Sequence, residues 1–385
     1  MDYFEKSLAM HEKFGGKLEV KSKIDLDNKE DLSIAYTPGV AAPCKKIAVN
    51  PQDAYKYTMK KNTVAVITDS SAVLGLGNLG GAAGLPVMEG KCVLFKKFAN
   101  IDAFPICLDT QNVNEIVTTI KYIAPGFGGI NLEDISAPRC FLIEELLIKQ
   151  LDIPVFHDDQ HGTAIVVLAG IINSFKLADR EIGRAKIVIN GAGASGIAIA
   201  KLLIHYGARD IVLCDTKGAI YEGRDNLNDA KKEIALSTNL NKIKGGLKEA
   251  IQDADCFIGV SAAGVLNEDL ITNMNSDPII FAMANPIPEI MPEEAKKAGV
   301  RFIASGRSDY PNQVNNVLAF PGIFRGALDA RIKIINDDMK IAAAIALAGL
   351  VKDPSEEKFI PNVFDSGVSD AVAAALIKES EIQKF

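Results

Sequence analysis

Positive charge in excess is what this 385-residue chain lacks: 42 Lys and Arg stand against 49 Asp and Glu, a formal net charge of −7. No basic face is available to neutralise phosphates, which argues against a nucleic-acid or anionic-membrane partner. An acidic surface also repels small anions, so an anionic substrate has to be captured locally by a metal or a few cations. The six cysteines (44, 92, 107, 140, 214, 256) include no C-x-x-C pair, and several lie within apolar strands as buried thiols of an intracellular protein do. Four histidines are too few and too dispersed for an evident His-based metal site, although His157 and His161 come close together. The opening Met1-Asp2-Tyr3-Phe4-Glu5-Lys6 is mixed in charge, without the apolar core of a signal peptide. The longest uncharged apolar run, Ile341 to Val351, falls well short of the roughly 20 residues that span a bilayer. Internal repeats and low-complexity tracts are absent too. A soluble, cytoplasmic protein is expected.

What the chain has is length for two domains and ample apolar material, 48% of its residues. Short apolar strands alternate with helical patterns: Val64–Ile67, Ala103–Leu108, Val155–His157, Ile187–Ile189, Ile211–Leu213, Cys256–Val260 and Ile279–Ala282. Such alternation predicts α/β layers with largely parallel sheets. Between two of these strands lies Gly191-Ala192-Gly193-Ala194-Ser195-Gly196, followed by a helical stretch from Ile197 to Tyr206 closed by Gly207. Gly191 permits the tight turn, Gly193 lets the backbone approach a pyrophosphate, and Gly196 lets the helix pack close. The helix N-terminus offers free N–H groups to the phosphates. The next strand ends on Asp215, placed to accept hydrogen bonds from a ribose diol. Strand, turn, helix, strand and acid together specify a dinucleotide site far better than the glycines alone. Gly75-Leu76-Gly77-Asn78-Leu79-Gly80 carries the same glycine spacing without that setting, and reads as a mobile or substrate-side loop.

About 160 residues precede the dinucleotide unit, enough for a substrate domain. The expected division is residues 1–160, an N-terminal α/β substrate and metal domain, and residues 161–385, a Rossmann-type doubly wound parallel-sheet domain with C-terminal helices. Helices are expected at 112–122, capped by Asn112, and at 163–177, 337–352 and 368–379. The cleft between the domains is the default place for chemistry. Two acidic pairs stand near it, Glu133-Asp134 and Asp158-Asp159, the second at the C-terminal end of an expected strand. Alone, each pair reads as helix-terminal charge or solvated loop; together they can close on one hard divalent cation. Lys91, in Gly90-Lys91-Cys92-Val93-Leu94-Phe95, reads by itself as a snorkelling surface lysine, with a pKa-lowered base as the other option. Tyr36 opens a Pro-Gly turn and reads as packing or as a proton donor. Asn285, Asn315 and Asn316 read as turn formers that can also bind a carboxylate or the nicotinamide ribose.

With these pieces in order the chain resembles the NAD(P)-dependent malic enzymes in their short prokaryotic form, over essentially its whole length. The resemblance rests on Tyr36-Thr37-Pro38-Gly39-Val40-Ala41, Leu74–Gly80, Gly90-Lys91, Asn131-Leu132-Glu133-Asp134, Phe156–Thr163, Gly191–Gly196, Ala284-Asn285-Pro286 and Asn315-Asn316 with Phe320-Pro321-Gly322. It implies oxidation of L-malate by a nicotinamide cofactor, then decarboxylation to pyruvate and CO2. It implies Glu133, Asp134 and Asp159 as ligands of Mg2+ or Mn2+, Lys91 as general base, Asp158 paired with Lys91 or the metal shell, and Tyr36 as the acid that protonates the enolate carbon. Cofactor contacts fall on the Gly191–Gly196 turn, Ile197, Asp215, Asn285 and Asn316. Substrate contacts fall on Asn285 and Asn315. Larger relatives have a substrate-gripping arginine where this chain has Ala72, so an asparagine or loop amides must replace it. The chain also ends without the C-terminal extension of some bacterial relatives. Asp215 favours NAD, and Lys217 leaves NADP open. A homodimer or higher homo-oligomer is implied, with Tyr36 acting in its own subunit or its neighbour's. The weighed alternatives are a two-domain dehydrogenase without metal or decarboxylation, and a nucleotide sensor without turnover.

Overall fold

The computed structural model describes residues 3–73 and 76–382. Four strands, β1 (Thr63–Thr68), β2 (Asp102–Cys107), β3 (Gly129–Leu132) and β4 (Val155–His157), form a parallel sheet in the order β2-β1-β3-β4. Six more, β5 (Lys186–Asn190), β6 (Asp210–Asp215), β7 (Gly218–Ala219), β8 (Cys256–Gly259), β9 (Ile279–Ala282) and β10 (Phe302–Ser305), form a second sheet ordered β10-β9-β8-β5-β6-β7. Only the short β7 runs antiparallel. The expected strands are all present. β3, β7 and β10 were not expected: Gly129 and Asn131 break the apolar run of β3, and β7 is only two residues long.

The sequence of β1, Thr-Val-Ala-Val-Ile-Thr, has no polar face, and all six positions are buried. That is the pattern of a strand covered on both sides. Val64 and Val66 point one way, where the helix Gly81–Ala99 packs Met88, Cys92 and Phe95 against them. Ala65 and Ile67 point the other way, toward Ile116 and Ile120 of the helix Val113–Ile123 and Ile143 and Leu147 of the helix Arg139–Gln150. Asn112 caps the first of these through the N–H groups of Asn114 and Glu115. The C-terminal part of the chain then returns to the first sheet. Phe320 and Phe324, on the helix Phe320–Ala330, bring their rings to 4.7 and 5.3 Å from Phe95.

The helix Asp158–Leu177 joins the two sheets, and 14 of its 20 residues are buried. A helix apolar all round is covered all round; its Ile165–Ile171 stretch belongs to one continuous core with Val64, Phe95, Ile187 and Phe281. It begins five residues before the expected start, because β4 passes directly into it. Asp158 and Asp159 therefore occupy its first turn, where the helix dipole favours anions. Asp337–Leu350 and Val368–Ile382 form the expected C-terminal helices. The first 60 residues behave differently: helices Tyr3–Phe14, Lys29–Ala35 and Ala41–Val49 bury nothing, and no residue from 3 to 62 is buried.

Candidate active site

The Gly191–Gly196 turn follows β5, whose neighbours are β6 on one side and β8 on the other. The chain switches direction of travel across the sheet there, and open α/β sheets bind ligands at such a point. Gly191 has φ +120°, and a Cβ on it would lie 2.4 Å from the Val260 carbonyl oxygen. A Cβ on Gly196 would lie 1.8 Å from the Gly191 oxygen, so only glycine lets the helix Ala194–Tyr206 start this close to the turn. At Gly193 nothing lies within 4 Å, which leaves the backbone open to an approaching pyrophosphate. Ala192, Ala194 and Ile197 flank these glycines, and Gly207 closes the helix in the left-handed conformation.

Asp215 ends β6 as expected, but it is already engaged. Arg224 Nη2 lies 2.5 Å and Lys231 Nζ 2.7 Å from its Oδ2, while the Lys217 backbone N–H donates to Oδ1 at 2.9 Å. Burial pushes its pKa up, but the bonds from Arg224 and Lys231 outweigh that and hold it below the usual carboxylate range. Lys217 contributes its backbone here, and the two side chains that engage Asp215, Arg224 and Lys231, lie 9 and 16 residues beyond it, outside any sequence motif.

At the C-terminal edge of the first sheet the two acidic pairs meet. Glu133 N–H donates to Ile67 O at 2.9 Å, so Glu133 and Asp134 emerge beside β1, at that sheet's own switch point. Asp134 N–H donates to Asp159 Oδ2 at 2.8 Å, and Ser195 Oγ, on the first turn of the dinucleotide helix, donates to Asp159 O at 2.8 Å. The nucleotide turn and the acids are thus tied into one site. Carboxylate oxygens of Glu133, Asp134 and Asp159 all lie within 4.8 Å of one another. Asp134 has φ +51°, rare for a non-glycine residue and concentrated at functional sites. Its Oδ2 is buried with no hydrogen-bond partner. Burial, then the Asp159 and Glu133 charges, push its pKa up to about 9, and Glu133 and Asp159 also move upward, chiefly through burial. Three crowded acids with an orphaned buried oxygen fit a divalent cation.

Lys91 is buried, not a snorkelling surface lysine as its sequence context favoured. It lies on the inward face of its helix, at i−4 to the core residue Phe95, and the sequence does not show that acids wait opposite it. Its Nζ bonds Asp158, lies 2.8 Å from Glu133 Oε1 and sits 4.1 Å from the centre of the Phe320 ring. Burial alone lowers its pKa, yet Asp158, Glu133 and Asp159 outweigh burial and hold the ammonium above the usual lysine range. Glu133, Asp134 and Asp158 are likewise buried rather than solvated, Asp158 wholly so, and Asp159 is half-buried. A Cβ on Gly162 would lie 1.9 Å from Asp158 Oδ1 and 3.1 Å from Asn316 Cβ, so that glycine makes room for the carboxylate and places Asn316 beside it. Glu144 was not foreseen. It accepts from His157 N–H at 2.8 Å, pairs with His161 Nε2 at 2.9 Å and accepts from Gln160 Nε2 at 3.2 Å, bracing the strand-to-helix junction that carries Asp158 and Asp159.

The remaining candidates are dispersed. Asn285 follows β9 and donates weakly to Met283 O at 3.4 Å; Asn315 accepts from Val317 N–H at 3.0 Å as a turn cap. Ala72 N–H donates to Asp134 O at 3.0 Å, so the position of the absent arginine does border the site. Arg139 stands close by, bonding Asp69 and Ser71 at 2.9 Å each. Leu74 and Gly75 lie outside the described residues; the rest of that glycine segment folds back on β1's end, Leu79 N–H donating to Ser70 O at 3.1 Å. Tyr36 is 67% exposed and joins none of these groups.

Fold and site together define a nicotinamide-dependent enzyme with a lysine and an acidic metal-type cluster tied to its dinucleotide turn. Residues 15–115 match the family model "Malic enzyme, N-terminal domain", and residues 160–381 match "Malic enzyme, NAD binding domain". The chain is 60% identical to a protein of Bacillus subtilis (strain 168) named bifunctional malic/malolactic enzyme, over 98% of this chain and 93% of that one. It is 54% identical to the NAD-dependent malic enzyme of Geobacillus stearothermophilus, over 97% of this chain and 78% of that one. The crystal structure of malic enzyme from Pyrococcus horikoshii Ot3 superposes with a TM-score of 0.95 at 48% identity, covering 99% of this chain and 91% of that one. This chain belongs to the malic enzyme family, whose activity is the oxidative decarboxylation of malate with NAD(P).

Proposed function

We propose that this chain, with Mg2+ or Mn2+ bound, converts L-malate and NAD(P)+ into pyruvate, CO2 and reduced cofactor at the Lys91 cluster. The observation that carries this is the convergence of Lys91, Glu133, Asp134, Asp158 and Asp159 at the helix start that Ser195 ties to the dinucleotide turn. Lys91 takes the proton of the malate C2 hydroxyl as hydride leaves C2 for the nicotinamide. Asp158 holds the Lys91 amine in place. Of the carboxylates that keep Lys91 charged, a cation would compensate Glu133 and Asp159, which moves the balance toward burial and the neutral amine, with Asp158 still opposing it. Glu133, Asp134 and Asp159 would hold the cation, which supplies Lewis-acid stabilisation of negative charge developing on the substrate's oxygen. Loss of CO2 leaves an enolate, and the Tyr36 phenol delivers the proton to its C3 carbon. Asn285, Asn315 and loop amides beside Ala72 take the substrate carboxylates, and Asn285 and Asn316 the nicotinamide ribose.

NAD is the favoured cofactor, because Asp215 keeps acceptor oxygens for a ribose diol. Its pairing with Arg224 and Lys231 softens the repulsion of a 2′-phosphate, so NADP also turns over. Six free cysteines, four of them buried, suit a reducing, cytoplasmic setting. The domains divide near residue 160, at the start of the helix the sheets share. The test supplies 13C-labelled L-malate and follows carbon products by NMR with cofactor reduction. One pyruvate and one CO2 per reduced cofactor supports the reading; reduction with oxaloacetate accumulating, or lactate as the sole product, contradicts it.

A further inference from the structure

The proposed reaction leaves the wholly buried carboxylate of Glu289 without a role. Glu289 joins the two loops that leave the C-terminal ends of the neighbouring strands β8 and β9. Its Oε1 accepts from the Ser261 N–H at 2.8 Å and from Ser261 Oγ at 3.3 Å, and its Oε2 accepts from the Ala284 N–H at 2.9 Å. Leu266 N–H donates to Glu289 O at 3.1 Å and Gly264 N–H to Pro288 O at 3.2 Å, so the loops are zipped together beyond the carboxylate. A Cβ on Gly259 would lie 2.3 Å from Glu289 Cδ, so β8 ends on a glycine that leaves the carboxylate room. Among the described residues no Lys, Arg or His forms an ion pair with it. An ionised carboxylate is costly to bury without a counter-charge, and an apolar side chain could hold the loops by packing alone. What the carboxylate adds is direction, because it fixes two backbone N–H groups from separate loops.

Both fixed groups border the dinucleotide turn. Val260, just before Ser261, donates its N–H to Asn190 O at 2.9 Å, and its carbonyl oxygen is what a Cβ on Gly191 would meet at 2.4 Å. Ser261 Oγ also accepts from Asn190 Nδ2 at 2.8 Å. Ala284 immediately precedes Asn285. A dinucleotide lying across this switch point puts its adenosine ribose beside Asp215 on β6, to one side of β5, and its nicotinamide half over β8 and β9 on the other. We propose that Glu289 is the positioning residue of that nicotinamide half. By holding the Ser261 and Ala284 backbones in register it sets where Asn285 presents its amide, and so the pose of the nicotinamide at hydride transfer. The proposal rests on the reading of Asn285 as a contact of the nicotinamide ribose.

The test compares Glu289→Gln, Asn285→Ala and the double variant in NADH binding, ADP binding and malate oxidation. A glutamine accepts from one loop and turns its NH2 toward the N–H of the other, so one buried N–H loses its acceptor. Glu289→Asp, one methylene shorter, keeps the charge but cannot span both loops, and should behave alike; it serves where the glutamine variant does not fold. NADH affinity and kcat are each expected to fall by about tenfold, the scale of one buried N–H left unsatisfied. Affinity for ADP, which carries the adenosine and pyrophosphate without the nicotinamide ribose, should be unchanged. NADH emission follows binding directly, since the chain contains no Trp. The double variant should be no weaker than Asn285→Ala alone, because both substitutions remove the same contact. Wild-type NADH affinity and kcat in the Glu289 variants overturn the proposal, and so do NADH and ADP affinities that fall together, which mark a general loosening of the domain. Additive losses in the double variant show Glu289 acting apart from Asn285 and overturn the proposal alone. An Asn285→Ala protein with wild-type activity and NADH affinity overturns the reading of Asn285 and the proposal with it.

Discussion

Replacing Lys91 by alanine separates chemistry from architecture. Among the described residues its Nζ is the only Lys or Arg cation bonded to the clustered acids, touching Asp158 and lying 2.8 Å from Glu133. A positioned base contributes about 10²–10⁴-fold, so malate oxidation should fall by that factor, about 3–5 kcal/mol of barrier at ~1.36 kcal/mol per tenfold. Stability should fall as well. Stripping one partner from a buried ion pair costs about 3–5 kcal/mol, a large share of the roughly 5–15 kcal/mol by which domains are stable. Uptake of a proton by Asp158, whose pKa burial already moves upward, limits that cost. Lys91→Met with Asp158→Asn removes both charges and should regain most of the stability while staying inactive. The assay pairs the rate of malate oxidation with thermal unfolding and with titration of NAD, whose affinity should be unchanged because the Gly191 turn is untouched. A folded Lys91→Ala protein that oxidises malate within tenfold of wild type would falsify the base assignment.

Asp134→Asn should keep the fold, since Oδ2 has no hydrogen-bond partner to lose, and should abolish the rise in melting temperature that Mn2+ gives the wild type; an undiminished rise removes Asp134 from the metal set. Gly196→Ala drives a methyl to 1.8 Å from the Gly191 oxygen, so NAD affinity should drop by tenfold or more in a fluorescence titration while Mn2+ binding persists. Asp215 has a folded pKa below its unfolded value of about 3.9. Its stabilising contribution is therefore complete above pH 4 and is lost as pH falls below that, while protons are taken up by the unfolded chain first. Asp215→Asn should lower the urea midpoint at pH 7 and flatten its decline below pH 4; parallel acid limbs for the two proteins would contradict the pairing with Arg224 and Lys231.

The dinucleotide unit was legible because each of its parts has its own local signature: an apolar strand, glycines fixed by close approach, a left-handed helix end and a terminal acid. The same reasoning separated Gly191–Gly196 from the decoy at Gly75–Gly80. What escaped depends on partners distant in sequence. Lys91 looks like a surface lysine until Asp158, 67 residues on, and Phe320 are folded around it. Arg224 and Lys231 compensate Asp215 from a loop and a helix with no motif of their own. Glu144 lies in a helix whose other inward positions are apolar, where nothing marks it as the brace for His157 and His161. The early start of the helix at Asp158 was missed because the acids that favour its first turn also read as loop. The return of Phe320 and Phe324 to Phe95 is tertiary, and 225 residues of separation hide it from any periodicity.

The central claim is that one metal-dependent centre carries both oxidation and decarboxylation. Malate oxidation and oxaloacetate decarboxylation should be measured on a single preparation, before chelation, after EDTA treatment and after Mn2+ is restored. The account predicts that both activities disappear together and return together. Malate oxidation that continues at full rate in the chelated enzyme would contradict it.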